Sequence, residues 1–183
     1  VFAWSADGAK LVACANARAG EGKDFFVWSH FLVDAATGTT TPLKLPSNHL
    51  VTGWLPGDKL LTTSIAGTED APRLCLHRMS LDGTGEKELT GENARTAFGL
   101  PSPDGTRVLC HEYSRPGKDD SPEARRTLVL LDVATAKSTP VDGLPLNGEL
   151  RGLCWSPDGT KIAYTWRQLH EGTTEERIRK ETE

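Results

Sequence analysis

A short motif that returns along this chain restricts its fold more than any other feature. WSADGAKLVACA begins at Trp4 and WSPDGTKIAYTW at Trp155, with WLPGDKLLTTS from Trp54 and PSPDGTRVLCHE from Pro101 between them. The copies start 50, 47 and 54 residues apart, near the period of about 40–50 residues at which propeller blades repeat. The chemistry of the unit is that of a hairpin. In Ser-Pro-Asp-Gly the proline fixes φ, the aspartate bonds its own nearby backbone, and the glycine takes a positive φ. Runs rich in β-branched and aromatic residues flank each turn, as strands require.

Further along each unit comes a second apolar run and a second polar turn. These are 25–34 before AATGTT, 73–82 before GTGEKE, and 127–133 before ATAKS. Short closing strands are expected near 43–45, 87–89 and 138–141. Each unit then has four strands, A to D. A helical reading fails, because no 12-residue window keeps a 3.6-residue period and Gly or Pro interrupts every 8–12 residues. The expected fold is an all-β propeller of four-stranded antiparallel blades. About three and a half are present, spanning 1–47, 48–93, 94–146 and an incomplete 147–183.

W-S-P-D-G-T-K-[IL]-A-[YF] resembles the signature of the WD40-like β-propeller repeats of TolB-type proteins. The segment MSLDGTGEKELT (79–90) is similar to the second half of those repeats. Trp4, Asp7, Gly8 and Trp155, Asp158, Gly159 match best; Asp104 and Gly105 keep the turn without the Trp, and Trp54 precedes Pro-Gly-Asp instead of Pro-Asp-Gly. The resemblance implies a propeller with a general binding role and no reaction. It also implies the bacterial envelope, periplasmic or secreted, although the residues themselves are equally compatible with the cytoplasm.

Propellers close with about 4–8 blades, and an unclosed sheet leaves strand edges that template pairing. The expectation is therefore a longer protein, or self-association that completes the ring. The chain opens at Val1 with no basic segment followed by an apolar one, so no signal peptide is read in it. A net charge of -4 over 183 residues argues against nucleic acid as a partner, and no apolar run approaches the ~18 residues of a membrane span. Cys14, Cys75, Cys110 and Cys154 each lie in an apolar run with no C-x-x-C pair, which reads as buried small hydrophobes; a disulfide stays open. The last stretch, 170–183, reads as a mobile end or a long B–C loop, with a short capped surface helix as the alternative.

In a meander the B–C loops and the starts of the A strands share one face. The B–C loops are long and charged: 16–24, 64–72 and 114–125. Recognition usually sits on such loops over a rigid scaffold. Asn48, His49, Asn93, Arg95, Asn147 and Glu149 are the candidate rim of the channel mouth, a polar funnel for a peptide or small ligand. Trp4, Trp54 and Trp155 recur in register and read as packing between sheets.

G-x-S-x-G, H-E-x-x-H, a P-loop and G-x-G-x-x-G are all missing from the sequence. The five histidines are dispersed, with no second His or Cys at metal-ligand spacing, so no metal and no cofactor are expected. The sialidase Asp-box fails because Asp and Gly are adjacent. DAATG (34–38) resembles a quinoprotein element but lacks its Trp, and Asp119, Asp120 and Glu123 read as a solvated loop. The leading expectation is a non-catalytic binding module. The runner-up is the propeller portion of a prolyl-peptidase-like hydrolase or a lyase, with its catalytic residues outside this chain; a small-ligand sensor such as a quinone binder is third.

Overall fold

The structure is a computed structural model that describes residues 2–17, 27–68, 71–90, 96–113, 126–142 and 148–168. Every regular element among them is a strand, and no helix is long and apolar enough to cross a membrane. Residues 1–141 form one compact unit and 142–183 a second.

The first unit holds three antiparallel sheets, each a meander in chain order. The first contains β1 (Phe2–Trp4), β2 (Lys10–Ala17), β3 (Val27–Asp34) and β4 (Thr40–Leu43). The second contains β5 (His49–Leu55), β6 (Lys59–Thr68), β7 (Ala71–Ser80) and β8 (Lys87–Glu88). The third contains β9 (Thr96–Pro101), β10 (Arg107–Tyr113), β11 (Arg126–Asp132) and β12 (Ser138–Pro140). The second unit carries the hairpin β13 (Gly148–Trp155) and β14 (Ile162–Gln168). The all-β, four-stranded antiparallel architecture expected from the repeat is thus present.

The turn motif closes each hairpin by one recipe. In the first, Ser5 Oγ donates to Asp7 Oδ1 (2.6 Å), while Asp7 Oδ1 accepts from Ala9 N and Ser5 Oγ accepts from Lys10 N. Ser102–Asp104 and Ser156–Asp158 repeat this pattern. The glycines of the three turns have φ near +70°: 70° at Gly8, 66° at Gly105 and 68° at Gly159. In the second sheet the turn is one residue shorter between Trp54 and Lys59, and it places both Gly57 (φ 70°) and Asp58 (φ 53°) in the left-handed region.

Closing strands differ in detail from expectation. β4 starts at Thr40, ahead of the run at 43–45, because Asp34 organises a tight turn that returns the chain at once. Asp34 Oδ1 accepts from Ala36 N, Thr37 N and Thr37 Oγ1, which ties the DAATG element to a turn. Pro42 and Pro140 sit on the edge strands β4 and β12, where a missing N–H is tolerated.

Packing occurs face to face between consecutive sheets. Between the first and second, Ala3, Val12 and Cys14 meet Val51, Leu60 and Met79. Between the second and third, Leu55, Leu61, Leu76 and Leu89 meet Val108, Cys110, Val129 and Leu131. Complete burial of such side chains is worth about 1.5–3 kcal/mol each. Cys14, Cys75 and Cys110 are buried free thiols, as expected, whereas Cys154 is an exposed free thiol. Burial pushes the Cys110 thiol up to about 12.

The tryptophans divide. Trp54 packs against the first seam, while Trp4 is 56% exposed, contrary to the expectation of equal packing. The register explains the difference. Trp4 pairs with Leu11 and Trp54 with Leu60, so both point back toward the preceding blade, and within this unit the first sheet has none. Trp155 is half-buried in the second unit.

Candidate functional site

The meander order brings the β2–β3, β6–β7 and β10–β11 connections to one end of the sheets, beyond the pairs Ala17–Val27, Thr68–Ala71 and Tyr113–Arg126. The start of β5 lies at this same end. Of the six candidate rim residues, Asn48 is exposed there. His49, next to it, turns inward and is only 4% exposed. Asn93, Arg95 and Asn147 lie outside the described residues, as do 170–183 and 114–125; Glu149 lies in β13. Of the six, only the side chains of Asn48 and His49 are described, one exposed and the other buried.

It does bring His49 to a partner that spacing hides. His49 and His77 are 28 positions apart in sequence, yet their rings stack at a tilt with centroids 4.7 Å apart. Both lie on the face of the second sheet that looks toward the first. The two ring nitrogens and the Glu86 carboxylate lie within 4.8 Å of one another. His77 Nδ1 is 2.9 Å and His49 Nε2 3.7 Å from Glu86 Oε1. The two histidines lack ligand spacing in the sequence, and β-pairing brings them together by folding the 28-residue gap back on itself.

Each ring is held from behind. His49 Nδ1 is hydrogen-bonded to Thr62 Oγ1 (3.0 Å), and His77 Nε2 to Ser64 Oγ (2.8 Å). From the first sheet, His30 Nε2 donates to the His49 carbonyl (2.7 Å) and pins the backbone at the start of β5. Thr62, Ser64 and His30 are all buried. Glu86 enters from the turn between β7 and β8. That turn presses on the first sheet so closely that a Cβ on Gly83 (φ 82°) would lie 2.5 Å from the Lys44 carbonyl oxygen. The next carboxylate, Glu88, is engaged elsewhere, accepting from Arg73 Nη1 (2.8 Å) and Thr90 Oγ1.

Burial favours the neutral form of the rings. Burial depresses all three imidazoles below the ordinary histidine value. At His49 the neighbouring His77 adds to this, and at both His49 and His77 the Glu86 charge opposes it. Glu86 is 41% exposed, so the cluster opens to water on that side alone among its three members. Chemically, two neutral imidazoles and one carboxylate form a donor set suited to a cation.

Comparison with known proteins yields the fold. No family model matches the chain, and no curated protein matches it. Among solved structures it is similar to a TolB candidate from Agrobacterium tumefaciens at 20% identity and a TM-score of 0.61, covering 91% of this chain and 58% of that one. It is also similar to TolB from Acinetobacter baumannii at 19% identity and a TM-score of 0.59, covering 88% and 36%. A third similar structure is an oligogalacturonate lyase in complex with manganese, at 19% identity and a TM-score of 0.59, covering 88% and 45%. The fold is thus that of a TolB-type β-propeller. The chain spans between about a third and three-fifths of the length of these structures, and the group includes both TolB proteins and an enzyme.

Proposed function

We propose that the chain is a non-catalytic binding module that offers the B–C loop end of its blades to a protein or peptide. The observation that carries this reading is topological. The first and third meanders place their longest connections, β2 to β3 and β10 to β11, at the same end as the exposed Asn48, and recognition favours variable loops on a fixed scaffold. In the second sheet the loop expected at 64–72 is instead mostly strand, because β6 runs to Thr68 and β7 starts at Ala71. The hairpin turns after β1 and β9, at the opposite end, are short and spend their side chains on themselves, as Ser5–Asp7 and Ser102–Asp104 do. The TolB-type fold supports a protein partner, and with it a periplasmic or secreted setting.

Selection of displayed peptides against the chain tests this. The expected result is an enriched peptide whose binding falls by roughly tenfold or more in Asn48→Ala combined with Arg95→Ala. Peptides that bind this variant and the parent chain equally well overturn the proposed face. The alternative, the propeller portion of a hydrolase or lyase, requires catalytic residues outside this chain. A G-x-S-x-G segment in the same polypeptide would favour it.

A further inference from the structure

The register of the sheets shows how unusual the histidine cluster is. Lys10, Lys59 and Arg107 occupy equivalent places after the turn, opposite Asp34, Ser80 and Asp132. Three rungs beyond, on the face toward the preceding blade, the first sheet pairs Ala13 with Phe31 and the third pairs Cys110 with Val129. At the same rung the second sheet pairs Thr62 with His77. A layer that is apolar in two blades is thus a hydroxyl and an imidazole in the third, both buried. Burying polar groups costs free energy unless every one finds a partner, and the fold does not require them, since Phe31 and Val129 do without.

The second observation is directional. Each ring spends one nitrogen on a buried hydroxyl and turns the other toward Glu86. His77 Nδ1 is 2.9 Å from Glu86 Oε1 yet forms no in-line hydrogen bond with it, and it is buried. The oxygen therefore lies beside the axis of that nitrogen, not on it. Two such atoms flank a third centre. Separations of 2.9 and 3.7 Å are those of ligands set roughly 90–120° apart around one ion at bonds of about 2.1 Å.

We propose that His49 Nε2, His77 Nδ1 and the Glu86 carboxylate bind a divalent first-row transition-metal ion of the zinc type, with its remaining coordination positions open on the Glu86 side. Imidazoles select such ions over magnesium and calcium, which prefer all-oxygen shells. Thr62 and Ser64 accept the far N–H of each ring and so orient the ligands, a role outer partners commonly play. His30 fixes His49 through its backbone. Glu88, held by Arg73, lends charge without ligating. The site lies one residue below the exposed Asn48, at the rim end of β5.

Titration of the metal-free 183-residue chain with Zn2+ by calorimetry, and with Co2+ by visible absorption, tests the proposal. One ion per chain is expected, with Mg2+ unable to compete. Glu86→Gln, at a half-exposed position, weakens binding roughly tenfold or more, and His77→Phe, the residue the first sheet carries at this rung, abolishes it; circular dichroism confirms both variants as folded. The Co2+ complex shows ligand-field bands without a thiolate charge-transfer band. Failure of the chain to bind zinc stoichiometrically overturns the proposal. So does equal binding by parent and both variants, or a thiolate band, which would place the ion on a cysteine such as the exposed Cys154.

Discussion

The two seams of the first unit are built from the same repeat but serve different ends. Between the second and third sheets the contact is mainly apolar, with Leu61, Leu76, Val108 and Cys110 all 1% exposed or less and Thr63 the buried polar exception on β6. Between the first and second it is apolar at the hairpin end, around Leu60 and Met79, and polar at the rim end, where His30, His49, Thr62, Ser64 and His77 are buried together. One seam is optimised for packing. The other replaces apolar side chains at its rim end with hydrogen-bonded histidines and hydroxyls, and the proposed ion site lies in that layer.

The largest expected effect comes from the apolar seam. Leu76→Ala removes a fully buried side chain and should cost about 2–5 kcal/mol, read as a shift in the denaturant midpoint. The second effect belongs to the polar seam: Zn2+ at about a hundred times its Kd should add ~2.7 kcal/mol, seen as a rise in Tm. Third, His77→Val with Ser64→Ala gives the polar seam the apolar character of its neighbour. Without metal its stability should stay within about 1 kcal/mol of the parent, because both hydrogen-bonding partners leave together, while the zinc-induced rise in Tm disappears. A large loss of stability without metal would mean that the polar layer is structural, and the contrast between the seams would collapse.

Smaller effects sharpen the comparison by probing the turns, which both seams share. Asp104 is held down to about 2, against 3.8, first by the Ser102 hydroxyl and then by the Thr106 amide and hydroxyl. Its folded value is depressed, so its contribution is present above pH 3.8 and is lost as pH falls through about 2. Asp104→Asn should flatten the acid limb of the stability profile in that window, with no change near neutrality in the pH response. Last, Ala136 stands at φ 59° where Gly38 stands in the equivalent turn of the first sheet. Both donate their N–H back to the turn aspartate's carbonyl at 2.8 Å. Ala136→Gly should stabilise the third sheet by about 0.5–1 kcal/mol, measured by thermal melting; no gain would mean that the lost backbone freedom outweighs the relieved strain.

Much of the fold was legible because its rules are local. Ser-Pro-Asp-Gly closes a hairpin through contacts within six residues, as the bonds of Ser5, Asp7 and Lys10 show. Alternating apolar runs then follow from the strand period, and a repeated unit implies repeated sheets. Trp54 and Trp4 mark where this reasoning stops, since equivalent residues differ in exposure according to whether a preceding sheet covers them. Of the candidate site, only His49 was legible, and for its place at the start of an A strand. Its partners were not, because nothing in the 28-residue spacing to His77 resembles a ligand motif.

The amino-acid order alone determined that this protein is built of four-stranded blades, where each hairpin turns, and which glycines and aspartates turn it. Those features depend on backbone sterics and on hydrogen bonds between near neighbours. Only the tertiary structure decided that His49, His77 and Glu86 converge. Their meeting depends on the register across β5, β6 and β7 and on a turn braced at Gly83 against the first sheet, and a register is a property of paired strands that no single strand contains.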